Sequence, residues 1–322
     1  MARSSREASA GDVIAGTAII TFCCVATLHV PILGFVFFFL LPLPALFYHV
    51  RFGGHAALVI SVLSILILIG FSREMNPDAL LMSGMLGYGL LLGMHVKNHA
   101  PVEKTIAYSA LATLAALFFA IIIIGNLSGT GGMALISAHV KKNLELTVLL
   151  YGQVDASGET ARMLDASIEK AHYALLVILP ALTAVMLGIT GWINLLLGRT
   201  ALKKASGFSS PTLGRLNLWQ APGGLVWGVI GCSLFLILPF QAAKIVALNI
   251  LIVLMMVYLL QGFAIISFYF EKKKVPLFIR ALIYIAVAIQ QFLLFFIIGL
   301  GFFDTWLNVR RINKGENDPL TS

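Results

Sequence analysis

Charge is what this sequence has least of. Asp, Glu, Lys and Arg make up 11% of its 322 residues, less than half the roughly 25% of an ordinary soluble domain. Hydrophobic residues make up 59% and the mean hydropathy is +0.96, which excludes a soluble domain and reads as an integral membrane protein. Buried acid is lacking too. All 14 Asp and Glu fall in a loop, a tail or at a helix end, and no Lys or Arg lies mid-span. Proton- and sodium-coupled carriers ordinarily need a titrating carboxylate at membrane depth, so this pattern weighs against them.

Other absences narrow the field further. Cys23, Cys24 and Cys232 all lie in apolar runs, which excludes a disulfide framework and a CxxC metal site. No Walker motif is present, so no ATPase is built in. The net charge of +8 comes without a basic face interleaved with aromatics, so nucleic acid is not expected as a partner. His95 and His99 have the i, i+4 spacing of a metal clamp. They lack the Glu of an HExxH motif and Lys97 lies between them, so they are weak candidates; no metal, no cofactor and no enzymatic activity are expected. No small-x-small cleavage site follows the first apolar run, which reads as a retained helix.

What is present is a series of apolar runs long enough, at about 20 residues, to cross the bilayer. Nine segments qualify, near 13–30, 32–49, 54–72, 79–96, 104–125, 172–197, 223–241, 245–270 and 277–303. Pro31 separates the first two and Pro42 and Pro44 break the second, so this pair spans twice or forms a re-entrant pair. Stretch 31–48 is either a cavity wall or a kinked lipid-facing helix. The expected fold is all-α: a polytopic transmembrane bundle of eight or nine helices with an extracytoplasmic helical hairpin. Its parts are an N-terminal membrane half (1–125), the hairpin (126–171), a C-terminal membrane half (172–303) and a polar tail (304–322).

Loop charge sets the orientation. With the N-terminus inside, the cytoplasmic segments hold Arg3, Arg6, Arg51, Lys97, Lys104, Arg199, Lys203, Lys204, Arg215, Lys272, Lys273, Lys274 and Arg280. The short outer loops hold only Arg73 and Lys244. One misfit stands out: a ninth span exports Arg310, Arg311 and Lys314 against the rule.

In the long loop, Ile136, Val140, Leu144, Val148 and Tyr151 recur at helical spacing, with His139, Lys142 and Glu145 on another face. This predicts an amphipathic helix. Asp155 to Gly158 reads as a turn, and a second helix starting near Glu159 is expected to run into the sixth span, bent at Pro180. Ser83-xxx-Gly87 and Gly89-xxx-Gly93 mark close helix packing on the fourth span.

Five uncharged amides lie within spans: Asn194, Asn249, Gln261, Gln290 and Gln291. They are the candidate ligand contacts, or else they bond neighbouring helices. If the last two spans are antiparallel, Gln261 and Gln290 lie at similar depth. At the C-terminal end Asp304, Asn308 and Arg311 share one face of an extended helix, and Asp304 is expected to pair with an Arg there. Trp306 is placed as an interfacial anchor.

The run Asn249…Tyr258-Leu-Leu-Gln261-Gly262, the turn ending Val275-Pro276, Arg280, and Gly301-Phe-Phe-Asp304-Thr-Trp306 with Arg310-Arg311 resemble the YybS-type family of uncharacterised bacterial membrane proteins. Pro42, Pro44, Pro180 and Asn194 fit the same pattern. The resemblance implies a multipass protein of the bacterial inner membrane, with Pro42, Pro44, Arg280, Asp304, Trp306 and Arg311 as a structural signature. The N-terminal half is distantly similar to the S-components of energy-coupling-factor transporters and to the rod-shape protein MreD. The first implies a bundle that encloses a small molecule, the second a scaffold. Ala15 is followed four later by Ile19 and Ala18 by Phe22, a departure from the Ala-xxx-Ala docking signature of S-components. The expected function is binding, with or without transport, of a small or amphipathic molecule such as a lipid; the alternative is a non-enzymatic scaffold with a membrane-protein partner.

Overall fold

A backbone that leaves water must satisfy its own N–H and C=O groups, and long apolar runs do this as helices. The computed structural model describes residues 8–72, 77–151, 158–206, 208 and 216–310, and no strand occurs among them. The chain divides into two compact units, Met1–Leu213 and Gly214–Ser322.

The first unit opens with α1 (Ala10–His29), started by a capping box. The Ser9 hydroxyl accepts from the Asp12 N–H, and the Asp12 carboxylate accepts from the Ser9 N–H. Val30 is extended and Pro31 begins α2 (Pro31–Leu40) at a position that has no use for an N–H. The chain packs back on itself there, with Gly34 against the Thr27 carbonyl. A break at Leu41 and a second proline, Pro42, start α3 (Pro42–Phe52), which ends at Gly53 with φ 99°. Helices α4 (Gly54–Ser72), α5 (Pro77–Lys97) and α6 (Val102–Leu127) follow.

On α5 the Gly89-xxx-Gly93 pair does the packing expected of it, whereas Gly87 of Ser83-xxx-Gly87 does not. A Cβ at Gly89 would collide with Pro42 and Ala45, and one at Gly93 with His49 and the Leu46 carbonyl. Pro42 is buried and Pro44 half-buried, so α3 lies in protein along its α5 side rather than walling a cavity there. Gly84 meets Leu117 of α6, while Gly87 faces open space beside a cleft of about 250 Å³ between α5 and α6.

The expected hairpin is present as α7 (Gly132–Tyr151) packed on the start of α8 (Gly158–Ser206). On α7, Ile136, Val140, Leu144 and Val148 are half-buried while His139, Lys142 and Glu145 are exposed. Ser137 and His172 bond across the pair, Oγ to Nε2 at 3.2 Å. The 49-residue α8 runs unbroken with Pro180 inside it. The Asp155–Gly158 turn lies outside the described residues except for Gly158. Because α8 packs with α3, α6 and α7, it belongs to the first unit; the division falls after Leu213 and not before 172.

The second unit holds a 3-10 turn (Leu216–Leu218), α9 (Leu225–Ile237), α10 (Gln241–Lys272), α11 (Leu277–Ile289) and α12 (Gln291–Leu307). Its apolar core joins Val226 and Val229 of α9 to Leu254 and Tyr258 of α10, with Ile298 and Phe302 packed on it. Stretch 277–303, read as one span, is two helices bent by 108° at Gln290. The polar tail also begins later than 304, because Asp304 and Arg310 are packed inside the unit.

Six helices among the described residues are long and apolar enough to cross a membrane, seven if the bent pair is one span. Two further apolar helices, Gly54–Gly70 and Leu225–Ile237, are shorter.

Candidate functional site

Gln261, Asp304 and Arg310 of the second unit converge on one buried cluster. Helix α12 stops at Leu307 because Asn308 takes a left-handed conformation (φ 41°, ψ 53°), a common helix ending for Asn. The reversal brings Arg310 back to Asp304, Nη2 to Oδ2 at 2.9 Å, with both side chains fully buried. Oδ1 of Asp304 accepts from the Val309 N–H at 2.8 Å, and Oδ2 also accepts from Nε2 of Gln261 at 3.1 Å. The other amide atom of Gln261, Oε1, accepts from the Ala221 N–H at 3.1 Å. Nη1 of Arg310 donates to the carbonyls of Asn217 and Trp219. Two charges, an amide and four backbone groups, three of them from one loop, thus share a buried site, each strengthened by the low local dielectric.

Several expectations change here. Gln261 bonds Asp304 and Ala221, not Gln290; Gln290 and Gln291 are exposed at the 108° bend. The pairing Arg is Arg310. The i, i+7 face predicted for Arg311 requires a helix that continues past Asn308, and Arg311 itself lies outside the described residues. Trp306 is exposed and packs edge-on against Phe302, its ring centroid 5.0 Å away. Arg280 closes the end of α10, Nε donating to the Val275 carbonyl and Nη2 to that of Phe270.

The other candidates do not join this cluster. Asn194 is buried in the first unit and donates to the carbonyls of Phe39 and Thr190, both at 2.7 Å. Asn249 donates to the Ile245 carbonyl of its own helix. Nδ1 of His95 lies 2.8 Å from the Leu91 carbonyl. His99 falls beyond the end of α5 at φ 53° and stacks on Phe208. The i, i+4 register of the pair is therefore broken, and no group of three metal-ligating residues occurs among the described residues.

A feature not anticipated from the sequence is an open apolar groove of about 650 Å³ between α9 and α10. Gly228, Gly231 and Cys232 form one wall; Ala242, Ala243 and Ala247 form much of the other. Small residues at helical spacing on two consecutive segments were the available signal, since such residues leave a gap unless a neighbouring backbone fills it.

Residues 18–305 match the family model described as "Predicted membrane protein (DUF2232)", and the chain belongs to that family. No curated protein and no solved structure matches it.

Proposed function

We propose that this member of the family is a non-catalytic membrane protein that binds the apolar part of an amphipathic molecule, such as a lipid acyl chain, in the groove between α9 and α10. One observation carries the reading: a groove of about 650 Å³ whose lining is apolar and whose walls are largely Gly and Ala. An apolar slot with few polar groups suits a hydrocarbon chain and offers no chemistry to it. The five amides do not converge on a ligand, and the buried carboxylate of Asp304 is held by Arg310, Gln261 and the Val309 N–H. That arrangement favours binding, with passage through the bundle as its extension, over ion-coupled transport. Loop charge supports a cytoplasmic N-terminus, and the resemblance to the YybS-type family supports placement in a bacterial inner membrane.

The scaffold reading has its own support in the same place. Gly228 and Gly231 give α9 a small-residue face of the kind a partner's transmembrane helix packs against. Native mass spectrometry of the purified protein separates the two readings. Retained lipid that falls at least tenfold in Gly231→Phe and in Ala243→Phe supports the first. Equal lipid retention in all three proteins sinks it, and a polypeptide that co-purifies stoichiometrically and is lost in both variants establishes the second.

A further inference from the structure

We propose that α11 and α12 form a re-entrant hairpin, entering and leaving the membrane on the face that carries Lys272, Lys273 and Lys274. The inference is independent of what occupies the α9–α10 groove. Its basis is where the far end of α12 lies. The Tyr269 hydroxyl donates to the Val309 carbonyl at 2.9 Å. Arg310 donates to the Asn217 carbonyl at 2.8 Å, and the Asn217 amide donates to the Glu271 carboxylate at 2.6 Å. Residues 309–310 are therefore fastened to residues 269–271, the last turn of α10.

The near end of α11 is fastened to that same turn. Arg280 donates to the carbonyls of Phe270 and Val275, and the Tyr284 ring meets the rings of Phe270 and Phe263. Between these two anchors the chain goes out along α11, turns by 108° at Gln290 and comes back along α12. A single span cannot begin and end at one turn of a neighbouring helix. Depth agrees: the 13 residues of α11 reach about 20 Å, short of the roughly 30 Å hydrocarbon layer, so the Gln290–Gln291 tip stops inside it.

Packing on α10 provides the room. Gly262 lies against the Ile297 carbonyl, and Gly301 against the Tyr258 carbonyl and the Gly262 nitrogen, so the two backbones touch where the returning leg crosses. The sequence supplies a separate argument. A continuous last span exports Arg310, Arg311 and Lys314, whereas a hairpin keeps them on the same side of the membrane as Lys272–Lys274, as the positive-inside rule requires.

Thiol accessibility tests the proposal. In a Cys23→Ala, Cys24→Ala, Cys232→Ala background, single cysteines are placed at Gln241, Lys273 and Ser322 and exposed to a membrane-impermeant maleimide before and after lysis. Lys273→Cys and Ser322→Cys should label alike, and Gln241→Cys, at the other end of α10, opposite to both. Ser322→Cys labelling with Gln241→Cys would overturn the hairpin. If the cysteine-free chain does not accumulate, protease protection of an epitope at the C-terminus, compared with one inserted at Lys273 in the native chain, decides between the same two outcomes.

Discussion

Asp304 and Arg310 are six residues apart, joined across a left-handed turn at Asn308, and form an ion pair at 2.9 Å from which solvent is excluded. Removing one partner leaves the other charged and buried, which typically costs about 3–5 kcal/mol. Asp304→Asn should therefore lower the detergent-solubilised unfolding midpoint far more than substitution of the exposed Lys272. The double variant Asp304→Leu, Arg310→Met should recover part of the loss. Thermal unfolding followed by intrinsic fluorescence checks both; an unchanged midpoint in Asp304→Asn would mean that the pair does not hold the unit together.

Glycines predict a contrast within one residue type. Any Cβ at Gly301 runs into the Tyr258 carbonyl, and backbone cannot swing aside as a side-chain tip can. Gly301→Val should cost about 1–3 kcal/mol or more through overpacking. Gly87→Ala, with nothing within 4 Å of its added carbon, should be neutral or slightly stabilising, because Ala is the better helix former by about 1 kcal/mol. Equal effects in the two variants would refute the packing described.

Asn194 ties α8 to α2 through the Phe39 carbonyl. Asn194→Leu removes that donor and should cost about 1–3 kcal/mol, the penalty of an unmet buried polar group. If Asn194 acted chiefly as a ligand contact, stability would be unchanged and bound material would be lost.

On the α7–α8 hairpin, Val140→Asp puts a charge on the half-buried stripe, while Lys141→Ser alters only the exposed face. Limited proteolysis at Ser128–Gly132 should speed up several-fold in the first variant and not in the second. Matching rates would show that the stripe does not pack.

What could be read in advance follows from how local each signal is. The α7 stripe, the continuous α8 and the close approach at Gly89 and Gly93 are set by periodicity and side-chain size, and the structure has them. The bend at Gln290 is different. No proline or glycine marks it; only the amides Gln290 and Gln291 interrupt the apolar run there, so length suggested a span. The expected pairing of Asp304 with an Arg is there, but the shared face with Arg311 is not: counting i, i+7 assumes an unbroken helix, whereas Asn308 ends it and returns Arg310 instead. Asn at that place was a legible stop signal. The carbonyls of Asn217 and Trp219 had no signal, because any residue supplies a carbonyl.

The 49 residues of α8 make a rod roughly 74 Å long, more than twice the thickness of the layer it crosses. It packs with α7, bonded to it at His172, and with both α3 and α6. The one interior weak point is Pro180, where a carbonyl on the preceding turn goes without its usual partner. A displacement of α7 therefore reaches α3 and α6 through a single helix, with any flexing concentrated at that proline. In mechanical terms α8 is one continuous strut with a single built-in soft point.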